Sequence, residues 1–258
     1  MDSSSNLPDP AAGAPATPSD KAQTEVPGKM TLGEIFTKAF EIYRNNPIMI
    51  APSLLPVAVS ILGLLLFAGF VGMAAILGGG GGFLAVSAIG GFLLFIIVLI
   101  VSFFVAAGVT IEMIKEASAG NRADINSAWE ASKGRMEPLI LSSILAGIIT
   151  VLGYLLLIIP GIILSFIFYF VAQAVMIDGR SGMEALKTSY GFIKENLSDA
   201  VILILISMIM SLVLSMIPLI GPLLCLLVIP YIYALATLFY LDRKGMPEAR
   251  SETRVDIA

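Results

Sequence analysis

The chain has 258 residues, of which 57% are hydrophobic and only 13% charged, and its net charge is −4; mean hydropathy is +0.94. Soluble domains carry about 25% charged residues, so this composition describes an integral membrane protein. With no histidine and one cysteine, Cys225, the sequence excludes imidazole chemistry, intramolecular disulfides and CxxC or Fe–S ligation, and a net acidic chain without a basic block gives no reason to expect nucleic acid.

Taken in order, residues 1–30 are rich in Ser, Pro, Ala and Asp and lack an apolar core segment, so they read as a disordered cytoplasmic tail and not a secretory signal. The stretch "TLGEIFTKAFEIYRNNP" from Thr31 predicts an amphipathic helix, with Phe36, Ala39, Phe40 and Tyr43 on one stripe and Glu34, Lys38, Glu41 and Arg44 elsewhere. A charge-free block then runs over 45–111. Its prolines Pro47, Pro52 and Pro56 make the entry irregular, so a first span is expected at about 55–77. The run Gly78–Gly82 reads as a flexible turn, since it lacks the ending of a phosphate loop. A second span is expected within 83–111, a length that calls for a tilt or a bend near Gly90–Gly91.

The charged segment 112–137 follows, with Glu112 and Glu137 at membrane edges and a weaker stripe of Ile125, Ala128, Trp129, Ser132 and Met136. Block 138–177 is too long for one crossing and right for two, with the turn near Pro160–Gly161. In the next charged segment Met183, Leu186, Tyr190, Ile193 and Leu197 recur at helical spacing. Block 200–241 holds two more crossings around Pro218, Gly221 and Pro222, and 243–258 is a short polar tail.

The expected fold is therefore all-α: a polytopic membrane bundle of six transmembrane helices in three hairpins, each preceded by a cytoplasmic amphipathic interfacial helix. The units are 31–115, 123–178 and 181–242. Lys and Arg fall on one side of this topology only, which places both termini in the cytoplasm of a plasma membrane, in keeping with a prokaryotic source. Phe36, Phe40, Tyr43 and Arg44 align with Leu186, Tyr190, Ile193 and Lys194, and "MIDGRSGM" with "YLDRKGM", so the units read as internal repeats.

"SGMEALKTSYGFIKENL", the preceding "PGIILSFIFYFVAQAVMIDGRSG" and the opening "LGEIFTKAFEIYRNNP" resemble the glycerophosphodiester phosphodiesterase membrane-domain family and its uncharacterised prokaryotic relatives. The resemblance covers most of 31–242 and implies a six-helix membrane domain of unsettled role. In the enzymes that named the family the chemistry lies in a separate soluble barrel, and with few residues after Asp242 only the membrane part is expected here.

Three groups of candidate site residues emerge. Phe36, Phe40, Tyr43, Trp129, Leu186 and Tyr190 are candidate interfacial contacts to lipid or a partner. Asp178 with Arg180, and Asp242 with Arg243, are candidate polar sites at span edges. Gln173 is the one amide well inside a span, whereas Ser142, Ser143, Ser165, Ser207, Ser211 and Ser215 read as helix-packing residues. No ionisable group lies in the three apolar blocks, which argues against an ion-coupled transporter. No cofactor or metal is expected. The expected function is that of a non-enzymatic scaffold or lipid-interacting module at the cytoplasmic face, with membrane lipids, a cytoplasmic protein or a second copy as partners. The alternative is a passive or facilitated transporter of a lipid-like or small neutral substrate.

Overall fold

The computed structural model describes residues 29–76, 82–218 and 221–246, and over these residues the chain is all-α, without strands. The run 78–81 and most of both tails lie outside the described residues.

Helix α1 (Leu32–Asn45) starts at a capping box: the Thr31 hydroxyl accepts from the Glu34 N–H, and the Glu34 carboxylate accepts from the Thr31 N–H at 2.6 Å. The Thr31 N–H first, and then the Thr31 hydroxyl, which also donates to the carboxylate at 2.9 Å, hold the Glu34 carboxyl below its ordinary range. A single 3-10 turn, Pro47–Ile50, leads straight into α2 (Ala51–Ile76), so the first crossing begins earlier than expected and carries Pro56 within it. Helix α3 (Gly82–Ser118) is one helix through Gly90–Gly91. Helices α4 (Ile125–Lys133) and α5 (Met136–Leu156) follow.

The second reversal differs from expectation. It is made at Leu157 alone, and Pro160 already lies in the first turn of α6 (Ile158–Ile167), where its missing N–H costs nothing. The reversal is tight because Gly153 and Gly161 let the two helices touch. A Cβ on Gly161 would lie 2.3 Å from the Tyr154 ring. A short elbow at 168–170 separates α6 from α7 (Val171–Met176). Helices α8 (Gly182–Glu195), α9 (Leu197–Ser215) and α10 (Gly221–Arg243) follow, the last carrying Pro230 within it.

Among the described residues six segments are long and apolar enough to cross a membrane: Pro47–Ala74, Val86–Ser118, Met136–Leu156, Ile158–Met176, Leu197–Ser215 and Leu224–Arg243. Consecutive long helices pack together, α2 on α3, α5 on α6 and α9 on α10. Side-chain contacts bring the starts of α2, α5 and α9 together with the ends of α3, α7 and α10. Asn46 Oδ1 accepts from the Ala123 N–H at 3.1 Å, Arg135 donates to the Met176 carbonyl, and Arg243 binds Asp199 at 2.8 Å. These joints define one polar end of the bundle, and α1, α4 and α8 pack there. The buried core is concentrated at the same end, around Ile35, Ile111, Met113, Phe170, Met176, Phe239 and Tyr240.

Candidate functional site: the polar end

Each short helix buries a narrow stripe of small and aliphatic side chains. On α1 these are Ile35, Ala39 and Ile42; on α4, Ala128 and Ser132; on α8, Ala185, Leu186, Ser189, Phe192 and Ile193. The hydroxyl of Ser189 donates to the Ile167 carbonyl at 2.6 Å, which fixes α8 against the α6–α7 elbow. Helices α1 and α8 end alike. Asn46 and Asn196 each donate a side-chain amide to the carbonyl four residues earlier, Ile42 and Phe192, at 3.0 Å. Both asparagines immediately precede the next crossing, so each closes the polar helix before the chain enters the apolar one.

The candidate interfacial residues divide between two faces. Phe40, Trp129 and Tyr190 are 54%, 43% and 50% exposed, one on each short helix. Leu186, expected at the interface, is only 2% exposed and packs into the core. The reason is a helical face rotated from the expected stripe: the buried seam of α8 runs through 185, 189 and 192, so Met183, Tyr190 and Leu197 point away from the protein. Phe36 and Tyr43 are half-buried against the core. Tyr43 donates its hydroxyl to the Leu227 carbonyl at 2.8 Å and meets the Tyr231 ring edge-on, and burial pushes its phenol up from the ordinary value.

The edge charges form a buried network. Asp242 lies at the end of α10 with its carboxylate fully enclosed. Its oxygens accept from the Met30 N–H at 3.1 and 3.2 Å and from the Arg243 guanidinium. Arg243, itself almost fully buried, also donates to the Met30 carbonyl at 3.0 Å and to Asp199 at 2.8 Å, and lies 4.9 Å over the Phe239 ring. One acid and one base thereby tie the entry to α1, the start of α9 and the end of α10. Of the two candidate edge sites, Asp242 and Arg243 bind each other. Asp178 and Arg180 take separate partners: Asp178 accepts from the Tyr240 hydroxyl at 2.7 Å and pairs with Lys244 at 3.0 Å, while Arg180 pairs with Glu184 one helical turn on. The cause is Gly179, whose φ of +68° turns the chain so that Asp178 faces α10.

Beneath these charges Tyr240, Phe170, Phe192 and Phe239 make a ring cluster, with centroids 4.5 Å apart for Phe192–Tyr240 and 4.8 Å for Phe170–Phe192. Sequence reasoning missed it, because its members come from three separate segments. The available signal was Phe192 at a 3.6-residue phase with Ala185 and Ser189. Gln173 is buried, and its side-chain oxygen, Glu112 Oε2 and the Thr237 hydroxyl have no hydrogen-bond partner among the described residues. They stand on α7, α3 and α10, each within the last two turns of its helix.

Away from the polar end, a groove of about 680 Å³ runs along α9 and α10. Ser207, Ser211 and Ser215 line it with Tyr169. All three serines donate to carbonyls of their own helix, as expected for packing residues. No group of His, Cys, Asp and Glu among the described residues could hold a metal ion.

No curated protein and no solved structure matches the chain. Residues 128–242, from α4 through the end of α10, match the family model described as a domain of unknown function, DUF7847.

Proposed function

We propose that this protein is a non-enzymatic membrane module whose polar end faces the cytoplasm and engages the headgroups of the inner leaflet, as a platform for lipid or a partner. The observation that supports it is the placement of Phe40, Trp129 and Tyr190, one exposed aromatic on each of three short helices at one end of an apolar bundle. Aromatic rings with a polar edge are favoured at the headgroup level. Exposed Arg44, Lys187 and Lys194 on α1 and α8 give that surface a means of attracting anionic lipid. The acids Glu41, Glu184 and Glu195 on the same helices moderate the attraction, so the surface holds position at a leaflet more than it captures lipid. The Asp242–Arg243–Asp199 network makes the platform rigid, which suits a scaffold. The one-sided Lys and Arg count supports the cytoplasmic orientation.

The test is lipid selectivity of the full chain in bilayers, read with spin-labelled phosphatidylglycerol against spin-labelled phosphatidylcholine. The triple variant Arg44→Ala, Lys187→Ala, Lys194→Ala is expected to lose about threefold or more in preference for the anionic probe, given about 1 kcal/mol per close basic residue. An unchanged preference overturns the electrostatic part of the proposal. The serine-lined groove along α9 and α10 favours a second reading, facilitated passage of a lipid-like solute, which flux of a labelled lipid across vesicles holding the protein would test.

A further inference from the structure

A second cavity, of about 260 Å³, lies where α2, α3 and α10 meet, inside the apolar part of the molecule. Two features set it apart from an ordinary lipid-facing crevice. First, both proline-bearing crossings contribute to it. Pro56 of α2 lines it, and so does Leu226 of α10, the residue whose carbonyl loses its helical donor because Pro230 has no N–H.

Second, its hydroxyls are complementary in kind. Ser60 and Thr110 spend their protons on the carbonyls of Pro56 and Ala106, at 2.7 Å each, and so present oxygen acceptors. Ser53, more than nine-tenths buried, and Tyr233 line the same cavity, and neither hydroxyl bonds to a described residue, so both can donate. No charged side chain lines it.

We propose that this cavity binds the hydroxyl head of an uncharged lipid, a diacylglycerol. An alcohol hydroxyl accepts from the Ser53 and Tyr233 hydroxyls and donates its one proton to the Ser60 or Thr110 oxygen. An ion or a zwitterionic headgroup would lie among these residues with no countercharge. The volume is below that of pockets that enclose whole drug-sized ligands, so the head enters and the chains lie outside along α2 and α10. The site is independent of the polar end and of the leaflet reading above.

The experiment uses the full chain in phosphatidylcholine nanodiscs with a diacylglycerol that carries a diazirine in one acyl chain. After irradiation, labelled peptides are expected at residues 53–64 and 225–233. Excess unlabelled diacylglycerol should abolish the labelling, and the same lipid with its hydroxyl acetylated should not. The double variant Ser53→Ala, Tyr233→Phe should lower the labelling about tenfold, as the loss of two hydrogen bonds implies, with melting temperature as the control for folding. Equal competition by the acetylated lipid, labelling spread evenly over the lipid-facing helices, or a folded double variant that labels like the wild type would each overturn the proposal. If the variant does not fold, the competition result decides.

Discussion

The polar end of the bundle and the far half of the α2–α3 pair are built from equally apolar helices and are held in opposite ways. At the polar end Ile111, Met113, Ile114, Phe239 and Tyr240 are fully enclosed by the same chain, and the helix ends are pinned by Asp242 and Arg243. In the far half of α2 and α3, Leu64, Leu65, Leu66, Leu93 and Leu94 are all exposed, and their protein neighbours are chiefly the facing helix. The hydrophobic effect offers nothing to choose between protein and lipid tails there, so close packing and glycine decide how the two helices associate. Hydropathy alone therefore locates the spans and does not say which of them form the protein's own core.

The largest effect that separates the two regions should come from Asp242→Ala. It leaves Arg243 buried with one carboxylate in place of two and the Met30 N–H without its acceptor. Loss of a buried pair of this kind costs about 3 kcal/mol or more, and thermal unfolding in detergent should fall accordingly. Leu65→Ala in the far half should move the same midpoint by less than about 0.5 kcal/mol. Equal effects at the two sites would remove the distinction.

Within the far half, glycine sharpens the comparison. A Cβ at Gly63 would lie 2.0 Å from Phe95, so Gly63→Ala should push that ring aside and loosen α2 from α3 by about 1–3 kcal/mol. At Gly72 a Cβ meets nothing within 4 Å, and Gly72→Ala should stabilise its helix by about 0.5–1 kcal/mol. Thermal midpoints that move in the same direction for both variants would contradict the packing described for this pair.

The smallest expected effect is at the entrance to α1. The Glu34 carboxyl is held low first by the Thr31 N–H and then by the Thr31 hydroxyl. A depressed acid contributes stability above its unfolded pKa, near 4.5, and loses it as pH falls through its lower folded value. The difference in melting temperature between wild type and Glu34→Ala should be constant at neutral pH and shrink as pH drops below about 4.5. A difference that grows on acidification would reverse the assignment.

How much of this was legible in the sequence depends on which physical constraint each feature answers to. The six crossings were legible because charges are costly in hydrocarbon, and the charge-free blocks have the lengths that crossings require. The second reversal was misplaced by a few residues because a proline reads equally as a turn or as a helix first turn. The faces of α1, α4 and α8 were only half legible. Each helix has two apolar sides, one of Ala, Ser and Ile toward the protein and one of Phe, Trp or Tyr away from it, and periodicity merges them into one stripe; Leu186 was misassigned for that reason. The partner of Asp178 was not legible at all. Lys244 and Tyr240 lie more than sixty residues further along the chain, and only the positive φ of Gly179 turns the carboxylate toward them. The cavity between α2, α3 and α10 had a partial signal in Pro56 and Pro230, which a sequence cannot bring to one place.

The central claim is that the exposed aromatics of the short helices lie at the headgroup level of a membrane. Trp129 is the chain's single tryptophan, so its fluorescence reports one position without mutation. The measurement is depth-dependent quenching of the reconstituted protein by lipids that carry a nitroxide at the headgroup, high on the acyl chain or near its end. The account predicts strongest quenching from the headgroup and upper-chain labels. Quenching by aqueous iodide alone, with no response to any labelled lipid, would contradict it.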